Sequence, residues 1–201
     1  MKHLFFIILF TGIATCANSQ DFEGGAFVGL TANQIDGDAY SGFKKVGLQG
    51  GGWIRRMFTY TIGGQMELRY IQKGALHTPT ANDPVYHKTT LHFIDIPLMA
   101  QYHYNQEVIL ELGISPDILI NAKQEDENGA IPIQDPPYNR LSMSAIVGVG
   151  YRFFEVMQVH FRFNYSIVPI RPHPSGQTYQ LNKGHYSNSL TIALYYEIGN
   201  N

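Results

Sequence analysis

Residues 156–168 read Val156-Met157-Gln158-Val159-His160-Phe161-Arg162-Phe163-Asn164-Tyr165-Ser166-Ile167-Val168. From Gln158 onward, polar Gln158, His160, Arg162, Asn164 and Ser166 alternate with apolar Val159, Phe161, Phe163, Tyr165 and Ile167. A period of two puts each set on one face of a β-strand. About ten alternating residues without a break is also the length a tilted strand needs to cross a bilayer.

Seven further segments carry strand character: about 24–32, 46–55, 60–71, 90–104, 108–120, 141–153 and 186–198. Pro97 inside the fourth is expected to sit at a bulge, and Pro116 to bend or bulge the fifth. The second holds Gly47, Gly50, Gly51 and Gly52, which suit tight curvature and leave room for an inward Trp53. The stretches 73–86, 121–138 and 170–184 are rich in polar, Pro or Gly residues and read as loops. Connections after the first, third, fifth and seventh strands are long; those near Met57-Phe58, Asn105-Gln106 and Phe154-Glu155 are short. This rhythm around an even number of strands predicts an all-β fold, an eight-stranded antiparallel up-and-down transmembrane β-barrel with long extracellular loops and short periplasmic turns. A sandwich has no reason to keep it.

The ends of the chain set the expected compartment. Lys2 followed by apolar residues 4–13 and by Ala17-Asn18-Ser19 reads as a secretory signal over 1–19, leaving 20–201 as the barrel domain. The competing reading is a lipobox, Ile13-Ala14-Thr15-Cys16, although Thr is a poor neighbour for an acylated Cys16. Removal of 1–19 takes the only cysteine with it, so disulfides have no part in the mature fold. The expected location is the cell outer membrane, with lipid as one partner and envelope or secretion proteins meeting the long loops. A net charge of −2 without a basic block gives no footing for nucleic acid.

The polar face collects Glu67, Arg69, Asp95, Glu111, Arg152, His160, Arg162 and Glu197. A basic residue facing lipid near the midplane costs about 2–4 kcal/mol. Eight such groups cannot face lipid in a fold whose net stability is about 5–15 kcal/mol. They are expected to line a filled lumen, as a network of ion pairs and hydrogen bonds. A sharper reading gives His160, with Arg162 and a carboxylate, a proton-linked or ligand-binding role. Tyr60, Tyr70, Tyr102, Tyr104, Tyr151, Tyr165, Tyr195 and Tyr196 are expected mostly in interfacial girdles.

Several motifs together resemble the outer-membrane β-barrel proteins of the PorT type found in Bacteroidota. They are Lys45-Val46-Gly47-Leu48-Gln49-Gly50-Gly51, Glu67-Leu68-Arg69-Tyr70-Ile71-Gln72-Lys73-Gly74, Ile94-Asp95-Ile96-Pro97-Leu98 and Gly113-Ile114-Ser115-Pro116. The resemblance spans the expected mature chain and implies an outer-membrane barrel. Its founding member is linked to type IX secretion and the maturation of surface proteases. Those proteins usually end in an aromatic residue; this chain ends Glu197-Ile198-Gly199-Asn200-Asn201.

No enzymatic activity is expected. The rival is a lipid A deacylase-like hydrolase, because Lys183-Gly184-His185-Tyr186-Ser187-Asn188 resembles the His-x-Ser-Asn of those barrels and puts His185 and Ser187 on one face. A soluble lipocalin-like barrel is a second alternative, but it requires an apolar interior. No cofactor or metal is implied: the eight His are dispersed, His173 and His185 being the only weak pair, and the Gly-rich second strand precedes no helix.

Overall fold

The computed structural model describes residues 22–37, 42–81, 83–105, 107–133, 136–173 and 184–198. The expected signal segment, Cys16, the chain end and most of the 170–184 loop lie outside them. The strands are β1 (Phe22–Asp36), β2 (Lys45–Met57), β3 (Ile62–His77), β4 (His87–Asp95), β5 (Leu98–Tyr104) and β6 (Val108–Asp126). They continue with β7 (Gly129–Ile131), β8 (Leu141–Phe154), β9 (Met157–Ser166), β10 (Arg171–Pro172) and β11 (Gly184–Ile198).

Each principal strand pairs antiparallel with its neighbour in the order β1-β2-β3-β4-β6-β8-β9-β11, and β11 returns to β1 through thirteen residue pairs, Gly24↔Ile198 to Asp36↔Tyr186. Because β4 and β5 both lie between β3 and β6, the wall is a closed ring of eight strands. Closure leaves no sheet edge in the ring, so its backbone groups pair without help from solvent. The short β7 and β10 are appended beyond the ring, on β6 and β11.

Pro97 interrupts the fourth strand but makes no bulge, contrary to the sequence reading. Arg69↔Asp95 and Met66↔Leu98 keep one register, as do Asp95↔Asp117 and Leu98↔Ile114. Proline removes one donor, yet its carbonyl still accepts the Glu67 N–H at 3.0 Å, and the Pro116 carbonyl accepts that of Ile96 at 3.0 Å. Pro116 is likewise in register, opposite Met143. The irregularity lies at His92/Phe93, where β6 carries the extra Ile120. The expected loops 73–86 and 121–138 are also shorter than read: β3 runs on to His77, and β6 runs to Asp126 and turns back through β7. Tyr60 lies in a turn before β3 and is 96% exposed.

The outer surface is apolar over most of its height. Val28, Leu30, Leu48, Leu68, Leu112, Val147, Phe161, Phe163, Ile192 and Leu194 all face outward and are exposed. Tyr102, Tyr104, Tyr151, Phe154 and Tyr196 stand outward near the short-turn end. Tyr195 departs from the girdle reading: it is buried inside, stacked on Phe27 at 4.5 Å and tilted against Trp53 at 6.3 Å.

The interior has two storeys. From the short turns to mid-height it is charged and polar. Towards the long connections, Ile35, Ile71, Ala75, Leu91, Phe93 and Ile170 form an apolar layer, with Leu119, Ala122 and Tyr138 packed on it. At that level the outward side chains turn polar, with Tyr70 hydrogen-bonded to His92 at 2.7 Å and Gln72 to Tyr70 at 3.1 Å. The strand extensions of β3, β4 and β6 therefore bury apolar groups inside and show polar ones outside, the reverse of the wall below.

Candidate functional site

The inward parity of the strands gathers the charges into three tiers. At the short-turn end, Arg55 pairs with Glu23 and, at 3.4 Å, with Glu197, and donates to Gln158 Oε1 at 3.3 Å. Arg152, one of the eight residues read as lumenal, is only half-buried at this rim, 3.5 Å from Glu197 and bonded to the Glu155 carbonyl. Glu23, Arg55, Arg152 and His103 line a cavity of about 740 Å³ that opens here among Met57, Phe58, Thr59 and Tyr60.

The middle tier is centred on Arg162. Its guanidinium donates to Glu111 at 2.6 and 2.9 Å and to Glu67 at 2.9 and 2.8 Å, with all three side chains buried. Tyr195 donates to Glu67 at 3.0 Å, and Gln65 and Gln101 donate to the two carboxylates at 2.6 and 2.8 Å. His160 Nδ1 stands 3.1 Å from Glu111 Oε2, and its ring lies 4.3 Å from that of Tyr195. The neighbouring strand β8 must be bare for these side chains to fit, Gly148 pairing with Arg162 and Gly150 with His160. A Cβ at Gly148 would lie 2.6 Å from Arg162, and one at Gly150 would lie 2.6 Å from the His160 ring.

The upper tier is a second balanced set. Arg69 pairs with Asp95 at 3.0 Å and donates to Asn164 at 3.2 Å. Lys73 bridges Asp95 at 3.1 Å and Asp117 at 2.9 Å, and Ser144 donates to Asp117. The Lys73 ammonium lies 4.9 Å from the Phe93 ring centroid, where charge meets the apolar layer. Glu67, Arg69, Asp95, Glu111, His160, Arg162 and Glu197 are thus brought into the interior, in different tiers. Glu23, Arg55, Lys73 and Asp117 are members that sequence reasoning missed. The signal was available in their parity, two residues from Gly25, Trp53, Ile71 and Ser115 on the inward faces.

His185 and Ser187 both face the interior and are buried. Ser187 N–H donates to Ser166 Oγ at 2.7 Å, and the His185 ring meets that of His173 edge-on at 5.5 Å. Neither side chain presents itself to the apolar outer surface, where a glycolipid ester would lie. Among the described residues, no three His, Cys, Asp or Glu side chains are placed to hold a metal ion. Outside the apolar band, on the β4–β6 extension, Glu125 is held down to about 2 by hydrogen bonds from Lys123 and Lys88.

The fold is shared with solved outer-membrane proteins. Ail, the attachment invasion locus protein of Yersinia pestis, crystallised in complex with the heparin analogue sucrose octasulfate, is 12% identical at a TM-score of 0.52, the alignment covering 89% of this chain and 99% of that one. Neisserial surface protein A is 11% identical at a TM-score of 0.51, covering 87% and 96%. No curated protein matches the sequence. Residues 17–171 match the model of the outer membrane protein β-barrel domain. The match spans most of the chain, and with the closed eight-stranded wall and its apolar exterior it carries the conclusion: this chain belongs to the outer membrane protein β-barrel domain family, integral to the outer membrane.

Proposed function

We propose that the protein is a non-enzymatic barrel whose filled wall holds the long connections in place for envelope partners, and that it acts in docking or assembly. The observation that carries this reading is the interior: charges paired tier by tier beneath an apolar layer, with no His–Ser pair turned to the outer surface among the described residues. Such an interior supports a rigid post and gives neither a water-filled pore nor a lipid-hydrolysing site. In this reading 1–19 is a cleaved signal, the short turns lie in the periplasm, the long connections face outward, and lipid covers the apolar band. The PorT-type resemblance nominates type IX secretion as the assembly.

Affinity capture from detergent-solubilised outer membranes tests this, using the full chain and a variant with the 126–141 connection shortened. Co-purification of defined envelope proteins with the first and their loss from the second supports docking through the long connections. Equal recovery with both variants, or a protein found soluble in the periplasm, refutes it. Surface-protease secretion in a deletion strain decides the type IX link.

A further inference from the structure

One outward row of the wall is hollowed near the short turns. Phe22, Arg56, Gly64, Ala100 and Leu112 stand side by side on β1, β2, β3, β5 and β6. Gly64 and Ala100 fill little of the space outside the wall, while the rows that flank them are large and exposed. Ile54, Met66 and Leu98 lie on the side of the long connections, and Ile62 and Tyr102 on the side of the short turns. Between the flanking rows runs an open groove of about 630 Å³, apolar along most of its length.

The row also climbs. Followed round the ring through Leu112, Val147, Phe163 and Leu190, it returns to β1 at Ala32, well towards the long connections from its start at Phe22. The groove therefore begins at the short-turn rim and rises into the apolar band, as a lipid chain does. At its foot stands a cation. Arg55, Arg69, Arg152 and Arg162 each face a carboxylate inside the barrel. Arg56 has the opposite parity to Arg55 and lies on the outer side, its guanidinium 5.7 Å from the centroid of the Phe58 ring. Among the described residues no carboxylate pairs with it. Phe58 in turn lies against bare backbone, since a Cβ on Gly64 would stand 3.0 Å from its ring. Glycine thus seats the ring, and the ring holds the guanidinium over the foot of the groove.

We propose that this groove binds an anionic phospholipid of the leaflet at the short-turn end, its phosphate on Arg56 and an acyl chain along Gly64 and Ala100. A guanidinium presents forked donors that match phosphate oxygens, and a cation at the rim favours a lipid of net negative charge. The acyl chain supplies the packing contacts that the two small residues leave unmade. The inference rests on the reading that places the short turns in the periplasm, the side on which the membrane leaflet is phospholipid.

Native mass spectrometry of the full chain in detergent, titrated with phosphatidylglycerol, phosphatidylcholine or lipid A, tests it. The protein is expected to retain one phosphatidylglycerol about fivefold more tightly than phosphatidylcholine. Arg56→Gln should lose that preference and Arg56→Lys keep most of it. Gly64→Leu fills the groove and should weaken both phospholipids; should it fail to fold, Ala100→Leu fills the same groove from β5. Equal retention of the two phospholipids, an unchanged preference in Arg56→Gln, or unchanged binding with the groove filled overturns the proposal. Tighter binding of lipid A than of phosphatidylglycerol overturns the choice of occupant. The leaflet is tested apart from the groove, by Tyr60→Cys in the adjacent turn. Its thiol is expected to react with a membrane-impermeant reagent after the outer membrane is opened and not on intact cells. Reaction on intact cells refutes the periplasmic placement and this occupant with it; protection there without a phosphatidylglycerol preference refutes the groove alone.

Discussion

Replacing Arg162 by Met keeps an unbranched apolar stem and removes four hydrogen bonds and the cation that two buried carboxylates share. Breaking a buried ion pair by deleting one partner costs about 3–5 kcal/mol, because the other charge is left uncompensated. Here two are left, although Glu67 keeps Tyr195 and Gln65, and Glu111 keeps Gln101 and His160. The chain has one escape, which is to take up a proton on a carboxylate. From an ordinary carboxyl value of about 4.3, neutralisation at pH 7 costs roughly 2.7 units at 1.36 kcal/mol each, about 3.7 kcal/mol, and at pH 5 only about 1 kcal/mol. Arg162→Met is therefore expected to lose about 3–4 kcal/mol at pH 7 and about 1–2 kcal/mol at pH 5. Adding Glu67→Gln and Glu111→Gln to it should recover most of the loss, since no buried charge remains without a partner. Trp53, the only tryptophan and buried against this tier, reports urea unfolding from lipid vesicles by its fluorescence, with the gel shift of the folded form as a second reading. A loss that is the same at pH 5 and pH 7, or a triple variant no more stable than the single one, would refute the reasoning.

Gly150→Val is expected to block assembly of the folded form, because its side chain would enter the space of the His160 ring; recovery of the heat-modifiable band in membranes measures it. Ser187→Ala and His185→Ala should leave lipid A acylation unchanged in cells, by mass spectrometry of the extracted glycolipid, because both side chains face inward. Glu125 should titrate near 2, with its shift moving up in Lys123→Ala. Its folded value lies below the ordinary one, so the contact's contribution is complete above about pH 5 and fades as pH falls towards 2; amide exchange in the β6–β7 hairpin tracks it.

The wall was legible because lipid imposes one rule over its whole height: large apolar side chains at one parity, anything else at the other. Residues 158–167 obey it without exception, and β9 covers most of them, running from Met157 to Ser166. The extensions were not legible because that rule reverses there. In β4, Leu91 and Phe93 point inward while Thr90 and His92 point outward, so the face that collects charge lower down becomes the apolar one. A reader following charge therefore ends the strand too early. Lys73 was assigned to a loop for this reason, although it shares parity with Arg69 and Ile71 and closes the upper ion-pair tier. Pro97 misled in the opposite direction. A missing donor was read as a distortion, but neighbouring carbonyls keep the register intact. Tyr195 was grouped with the girdle on residue type, whereas its parity, opposite to that of Tyr196, already placed it inside.

The reversal of polarity also fixes what the charged interior can do. Leu68 and Ile94 face outward where Arg69 and Asp95 face inward; one pleat higher, Tyr70 and His92 face outward where Ile71 and Phe93 face inward. The outer surroundings change from apolar to polar within two residues, and the inner surroundings change the other way at the same height. Lys73 is the last interior cation before that boundary, held by two carboxylates from below and by the Phe93 ring. An ion that entered among Arg55, Arg152 and Glu23 would meet three tiers of paired charges and then the apolar side chains of Ile35, Ile71, Ala75, Leu91, Phe93 and Ile170. Desolvating it against those side chains would cost several kcal/mol. Among the described residues the ion-pair tiers therefore lie nearer the short-turn end, where a cavity opens on Arg55 and Arg152, with the apolar layer beyond them.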